Sequence, residues 1–79
     1  MRLQDPINPL SINCLITVNG KPHPVSPGSS VAALLVTMGL AGKRIAVERN
    51  GEIVPRSRHA EVPLQAGDRL EIVVAVGGG

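Results

Sequence analysis

Residues 26–40 read SPGSSVAALLVTMGL, and this stretch decides the fold because it carries the chain's one clear helix signal between two hairpin signals. Ser29 or Ser30 can accept from the free N–H groups of a first turn, and Val31, Leu34, Leu35 and Met38 follow the stripe of one helical face. Gly39 suits the left-handed position just past a helix end. The spacing predicts about three turns, too short to persist alone, so the apolar stripe must be held against a sheet.

That sheet is legible on both sides. Upstream, residues 11–25, SINCLITVNGKPHPV, place Ile12, Cys14, Ile16 and Val18 on one face of a strand, and Asn19-Gly20 is the dipeptide best suited to a tight hairpin turn. Pro22 and Pro24 lack an N–H, so the return strand belongs at a sheet edge. Downstream, residues 43–57, KRIAVERNGEIVPRS, repeat the pattern: Ile45 and Val47 alternate, Asn50-Gly51 turns, and Ile53-Val54 returns until Pro55. Residues 57–68 are expected to be irregular or one short helical turn, with a turn at Gly67-Asp68. Residues 69–76, RLEIVVAV, then set Leu70, Ile72, Val74 and Val76 on one face.

The order is strand, strand, helix, strand, short strand, strand, with the last strand expected in the centre beside the first. This is the order of an α+β, β-grasp (ubiquitin-like) fold: a mixed sheet of four to five strands with one helix over one face. The opposite face of the central strands carries Leu15, Thr17, Val73 and Ala75, which no remaining element covers. Residues 1–10, with Pro6 and Pro9, read as a flexible N-terminal extension, residues 11–76 as the domain, and residues 77–79 as a flexible glycine tail.

Composition narrows the function. The chain has 79 residues, enough for one domain, and 43% hydrophobic residues, enough for a core. It has no Phe, Trp or Tyr, so no ring can stack on a base, and its +2 formal charge is scattered, which argues against nucleic acid. A single cysteine makes neither an internal disulfide nor a Cys cluster for a metal. The opening MRLQDPINPL lacks the apolar run of a signal peptide, and no stretch approaches the ~20 residues of a membrane span, so a soluble, cytoplasmic protein without a membrane partner is expected.

No enzyme constellation is evident. Cys14 alternates with Ile12, Ile16 and Val18 and is expected to be a buried thiol of little reactivity. His23, between two prolines, and His59, in a polar loop, are expected to be solvated, and neither has a metal-ligand spacing. The acids Glu48, Glu52, Glu61, Asp68 and Glu71 form no pair that can be placed in a cleft. What remains is the last residue. A terminal carboxyl has a pKa of about 3.5, so at neutral pH it is an anion able to attack the α-phosphate of ATP. Three glycines reach about 10 Å and carry no side chain to block a narrow site. The tail therefore reads as a substrate threaded into another protein's active site.

Residues 12–79 resemble the ThiS family of thiamine-pathway sulfur carriers. The resemblance is carried by VNG (18–20), VAALL (31–35), IAVERNGEIVPRS (45–57), LQAGDRLEIV (64–73) and the terminal AVGGG (75–79), taken as an ordered set. The N-terminal extension and the third glycine, Gly77, depart from the family pattern. The resemblance implies a carrier, not an enzyme, with no cofactor of its own. Gly79 would be adenylated by a ThiF-like adenylyltransferase using ATP and converted to a thiocarboxylate. A donor such as a cysteine desulfurase relay would supply the sulfur, and thiazole synthase, ThiG, would consume it. Gly77 and Gly78 would thread into the partner's site. The uncovered face, with Leu15, Thr17, Val73 and Ala75 and with Arg69 and Glu71 setting orientation, would be the docking surface. The alternatives are the same chemistry in a MoaD-like small subunit of molybdopterin synthase, against which NGEIVPRS (50–57) speaks, and a non-covalent ubiquitin-like interaction module whose tail is inert.

Overall fold

The computed structural model describes residues 14–75. Five strands form one mixed sheet: β1 (Cys14–Val18), β2 (Lys21–Val25), β3 (Ile45–Arg49), β4 (Glu52–Ile53) and β5 (Arg69–Val74). Their order across the sheet is β2-β1-β5-β3-β4, with β5 parallel to β1 and antiparallel to β3. A helix, α1 (Val31–Thr37), crosses between the two hairpins. This is the β-grasp arrangement expected from the order of elements, with the final strand in the centre. The readings of residues 1–10 and 77–79, and the faces assigned to Ile12 and Val76, lie outside the described residues.

Both hairpins turn on Asn-Gly. Asn19 and Asn50 each have φ +52° and are followed by Gly20 at +82° and Gly51 at +88°. Two successive positive φ angles are what a two-residue turn needs to match the twist of its strands, and Asn and Gly tolerate them best. In β2, Pro22 lies opposite Thr17 and Pro24 opposite Leu15. With Val18 and Lys21 closing the turn, these alternate positions aim their nitrogens away from β1, so the missing donors cost the ladder nothing.

The helix is shorter than expected, seven residues or two turns, because its signals include the caps that stop it. Ser30 is the N-cap, its Oγ accepting from the Ala33 N–H at 3.0 Å. At the other end Gly39, at φ +75°, reverses the chain: its N–H donates to the Val36 carbonyl and that of Leu40 to the Leu35 carbonyl. That pair of bonds closes a Schellman motif, which satisfies carbonyls otherwise left free. The first-turn donors are met from the loop before β5: the Val31 N–H donates to the Val62 carbonyl and the Ala32 N–H to that of His59.

The core lies between α1 and the sheet. Val31, Leu34 and Leu35 meet Ile16, Val18, Val47, Leu70 and Ile72, with Val54 and Leu64 closing the sides. Two expectations are corrected here. His59 is buried, 8% exposed, because the 3-10 turn Arg56–Arg58 folds its loop back over the start of the helix; its Nε2 lies 3.1 Å from the Val54 carbonyl and so donates to it. Cys14 is only half-buried, since it opens β1 opposite Val25 on the edge strand rather than under the centre of the helix.

Candidate functional site

β5 is the strand that leads into the glycines, and two polar side chains from elsewhere in the chain bond to it. Asn19 reaches across from the first turn: its Oδ1 accepts from the Ile72 N–H at 2.8 Å and its Nδ2 donates to the Ile72 carbonyl at 3.1 Å. Asn50 does the same from the second turn, its Oδ1 accepting from the Arg69 N–H at 2.9 Å. Each turn asparagine thus has two roles, setting the hairpin and bracing the central strand.

Asp68, at the foot of β5, joins this network. It is 6% exposed, and its carboxylate accepts from Arg49 Nε at 2.8 Å, the Gln65 N–H at 2.9 Å and Asn50 Nδ2 at 3.1 Å. Burial alone would push its carboxyl up, but the bonds from Arg49, Gln65 and Asn50 and the guanidinium charge outweigh it and hold it below the usual carboxylate range. Asp68 is a buried, fully bonded strut, a role its place in a Gly-Asp turn did not disclose.

At the other end the strand runs out beside β3. Val74 is opposite Ile45, and the Ala75 N–H donates to the Arg44 carbonyl at 2.9 Å. The glycines assigned to threading and to the covalent site, Gly77, Gly78 and Gly79, lie outside the described residues.

The residues read as the open sheet face are exposed or half-buried among the described residues. Leu15 is 57% and Val73 64% exposed, Ala75, Arg69 and Glu71 are exposed, and Thr17 is half-buried. The register, however, separates its apolar members. Gly67 donates to the Leu15 carbonyl and Thr17 is opposite Arg69, so Leu15 lies some six residues from Val73 along the strand direction, or about 20 Å. Arg69 and Glu71 stand between them. Val73 instead joins Ala46, its partner on β3, in a shallow depression of about 320 Å3 that Ala75, Ile45, Arg44 and Arg56 complete. Ala46, Arg44 and Arg56 were not among the site residues read from sequence. For Ala46 the signal was available in the alternation of β3, whereas Arg56 comes near through the turn after β4.

Among the described residues no three His, Cys, Asp or Glu side chains gather as a metal site, and no helix is long and apolar enough to cross a membrane.

The model of the ThiS family matches residues 16–79. The sulfur carrier protein ThiS of Bacillus subtilis is 44% identical over 50 residues, covering 63% of this chain and 76% of that protein. A thiazole synthase of Paramagnetospirillum magneticum is 45% identical over 64 residues, 81% of this chain but 20% of that protein. A second, from Magnetococcus marinus, is 41% identical over the same length. The chain thus spans about a fifth of the length of the thiazole synthases it matches. Among solved structures, the thiamine biosynthesis protein ThiS of Geobacter metallireducens superposes with a TM-score of 0.70 at 34% identity, covering 82% of this chain and 99% of that one.

Proposed function

The chain belongs to the ThiS family, and on that premise we propose that it is a sulfur carrier for the thiazole branch of thiamine synthesis, with Gly79 as its covalent site. The observation that carries this is the extent of the family match, which runs through residue 79 and so includes the glycines that follow the central strand. Among the described residues the one buried carboxylate, that of Asp68, is consumed in a structural network.

The proposed sequence is activation followed by sulfur transfer. The Gly79 carboxylate attacks the α-phosphate of ATP in a ThiF-like adenylyltransferase, and pyrophosphate leaves. The persulfide of a cysteine desulfurase relay then attacks the acyl adenylate, AMP leaves, and a second thiol cleaves the S–S bond of the resulting acyl disulfide, forming a disulfide with the donor sulfur and releasing the thiocarboxylate. Thiazole synthase is the proposed acceptor of that sulfur. The similarity of two thiazole synthases to this chain supports it, because sequences of this kind occur within the length of that enzyme.

The experiment is intact and fragment mass spectrometry of the protein isolated from cells. Exchange of one oxygen for sulfur, localised by fragmentation to Gly79, is expected. Localisation matters because oxidation of Met1 or Met38 adds nearly the same mass. A deletion of Gly79, or one residue appended to it, should abolish ATP-dependent activation. Activation that survives both changes refutes Gly79 as the covalent site, and an unaltered chain that binds its partner without any activation favours the non-covalent interaction module.

A further inference from the structure

The depression at the root of the tail has a composition that the fold does not require. Its floor is apolar, Ala46, Val73 and Ala75, with Ile45, which packs against the core, at its border, and Arg44 and Arg56 line it. Among the described residues the ion pairs are Arg49 with Asp68 and Arg58 with Glu61, so neither Arg44 nor Arg56 has a carboxylate partner. The acids of the same sheet face do not reach for them either: Glu48 and Glu71 lie directly opposite each other across β3 and β5, one row further down. Among the described residues, two guanidinium groups without a carboxylate partner therefore flank an apolar floor beside the bond from the Ala75 N–H to the Arg44 carbonyl.

Resting on the carrier reading above, we propose that this depression receives an acidic segment of the adenylating enzyme. Carboxylates of that segment would lie over Arg44 and Arg56, with an apolar side chain on Val73 and Ala46. The occupant is protein and not nucleotide because of reach. From Ala75 to Gly79 the chain extends by at most about 14 Å, and a tail drawn out into a narrow channel holds its reacting end that far from the two arginines. The phosphates of ATP meet the carboxylate at the tip, so what meets the arginines is the rim of the channel. Guanidinium groups suit the role because their planar donors bind carboxylates in pairs and their weak hydration allows an apolar neighbour.

The test is ATP–pyrophosphate exchange by the ThiF-like adenylyltransferase of the same cell, with the full chain as the varied substrate. Arg44→Glu combined with Arg56→Glu should raise the KM for the carrier about tenfold and leave kcat within about twofold, since rim charges act on encounter and docking. Arg44→Lys with Arg56→Lys should recover most of that loss, and added salt should raise the KM of the unsubstituted chain but not of the double Glu variant. Arg58→Glu, half the charge change of the double variant and equal to that of Arg44→Glu alone, serves as the control and should leave KM within about twofold. A double Glu variant with unchanged KM, or an effect matched by the control, overturns the proposal. A change in the KM for ATP instead of the carrier overturns it too, by placing the arginines at the nucleotide. If the unsubstituted chain supports no exchange, the carrier reading fails first and the proposal falls with it.

Discussion

Replacing Asp68 with Asn tests what holds the central strand, because the change keeps the side chain's shape and removes its charge. The carboxylate accepts three bonds, from Arg49 at 2.8 Å, Gln65 N–H at 2.9 Å and Asn50 at 3.1 Å. An amide at this position has one acceptor oxygen, so its NH2 group must face at least one of those donors. A hydrogen bond to a charged group contributes about 1.5–3 kcal/mol and a neutral one about 1 kcal/mol. The Arg49 side chain is 27% exposed and regains some water when released, which places its share at the low end. The expected loss is about 2.5 kcal/mol, a large part of the stability of a domain this small. In a chain of 60–100 residues that lowers Tm by about 10–20 °C. With no Trp, Tyr or Phe the chain offers no useful intrinsic fluorescence, so the transition should be followed by far-UV circular dichroism or calorimetry. The sign with pH is fixed by the depressed carboxyl. Its contribution is fully present above the ordinary carboxylate range and is lost as pH falls through the lower value it has in the folded protein. The gap between the two proteins should therefore be widest near neutrality and narrow in acid. A Tm change under about 4 °C, or a gap that stays constant from neutral to strongly acid pH, would refute the assignment of Asp68 as an ionised strut.

Asn19→Ala should lose the two bonds to Ile72 and set a residue without asparagine's tolerance at φ +52°, for a cost of about 2 kcal/mol in denaturant unfolding, with hydrogen-exchange protection falling first at Ile72. Leu34→Ala, at a site 2% exposed beneath the helix, should cost about 2–5 kcal/mol by the same measurement; a loss below about 1 kcal/mol would mean that the helix is not seated as described. Val73→Arg alters a side chain 64% exposed and should leave Tm within a few degrees while raising the carrier's KM in adenylation, and unchanged kinetics would remove Val73 from the docking surface.

Local patterns were readable because their causes are local. The Asn-Gly turns, the Ser30 cap, the Gly39 stop and the Val31, Leu34, Leu35 stripe each depend on residues within a turn of one another, and all stand in the structure. The prolines of β2 even placed that strand at the edge. The polar network was not readable, because its partners are distant in sequence: Arg49 and Asp68 are 19 residues apart, and Asn19 and Ile72 are 53 apart. A Gly-Asp pair looks like any solvated turn until the fold brings a guanidinium to it. His59 was misjudged for the same reason, since nothing within its own loop announces that Val54 and the helix N-terminus will close over it. The exposed face was legible by alternation, but alternation gives no register, so Leu15 and Val73 looked like one patch when about 20 Å of strand separates them.

This separation has a consequence for how variants should sort. Asn19, Asn50 and Asp68 act on β5 from its turns and its foot, and substitutions there change how much of the chain is folded. The side chains of Arg44, Arg56 and Val73 are exposed and outside the buried core, and substitutions there should change mainly how well a partner engages. If Gly79 is the reacting residue, neither group contributes to the bond-making step. Adenylation measured at saturating carrier and scaled to the folded fraction should then be the same for Asp68→Asn, Val73→Arg and the unsubstituted chain. A kcat that falls with Asp68→Asn after that scaling would show that the foot of β5 is coupled to chemistry at Gly79, and would refute this separation of roles.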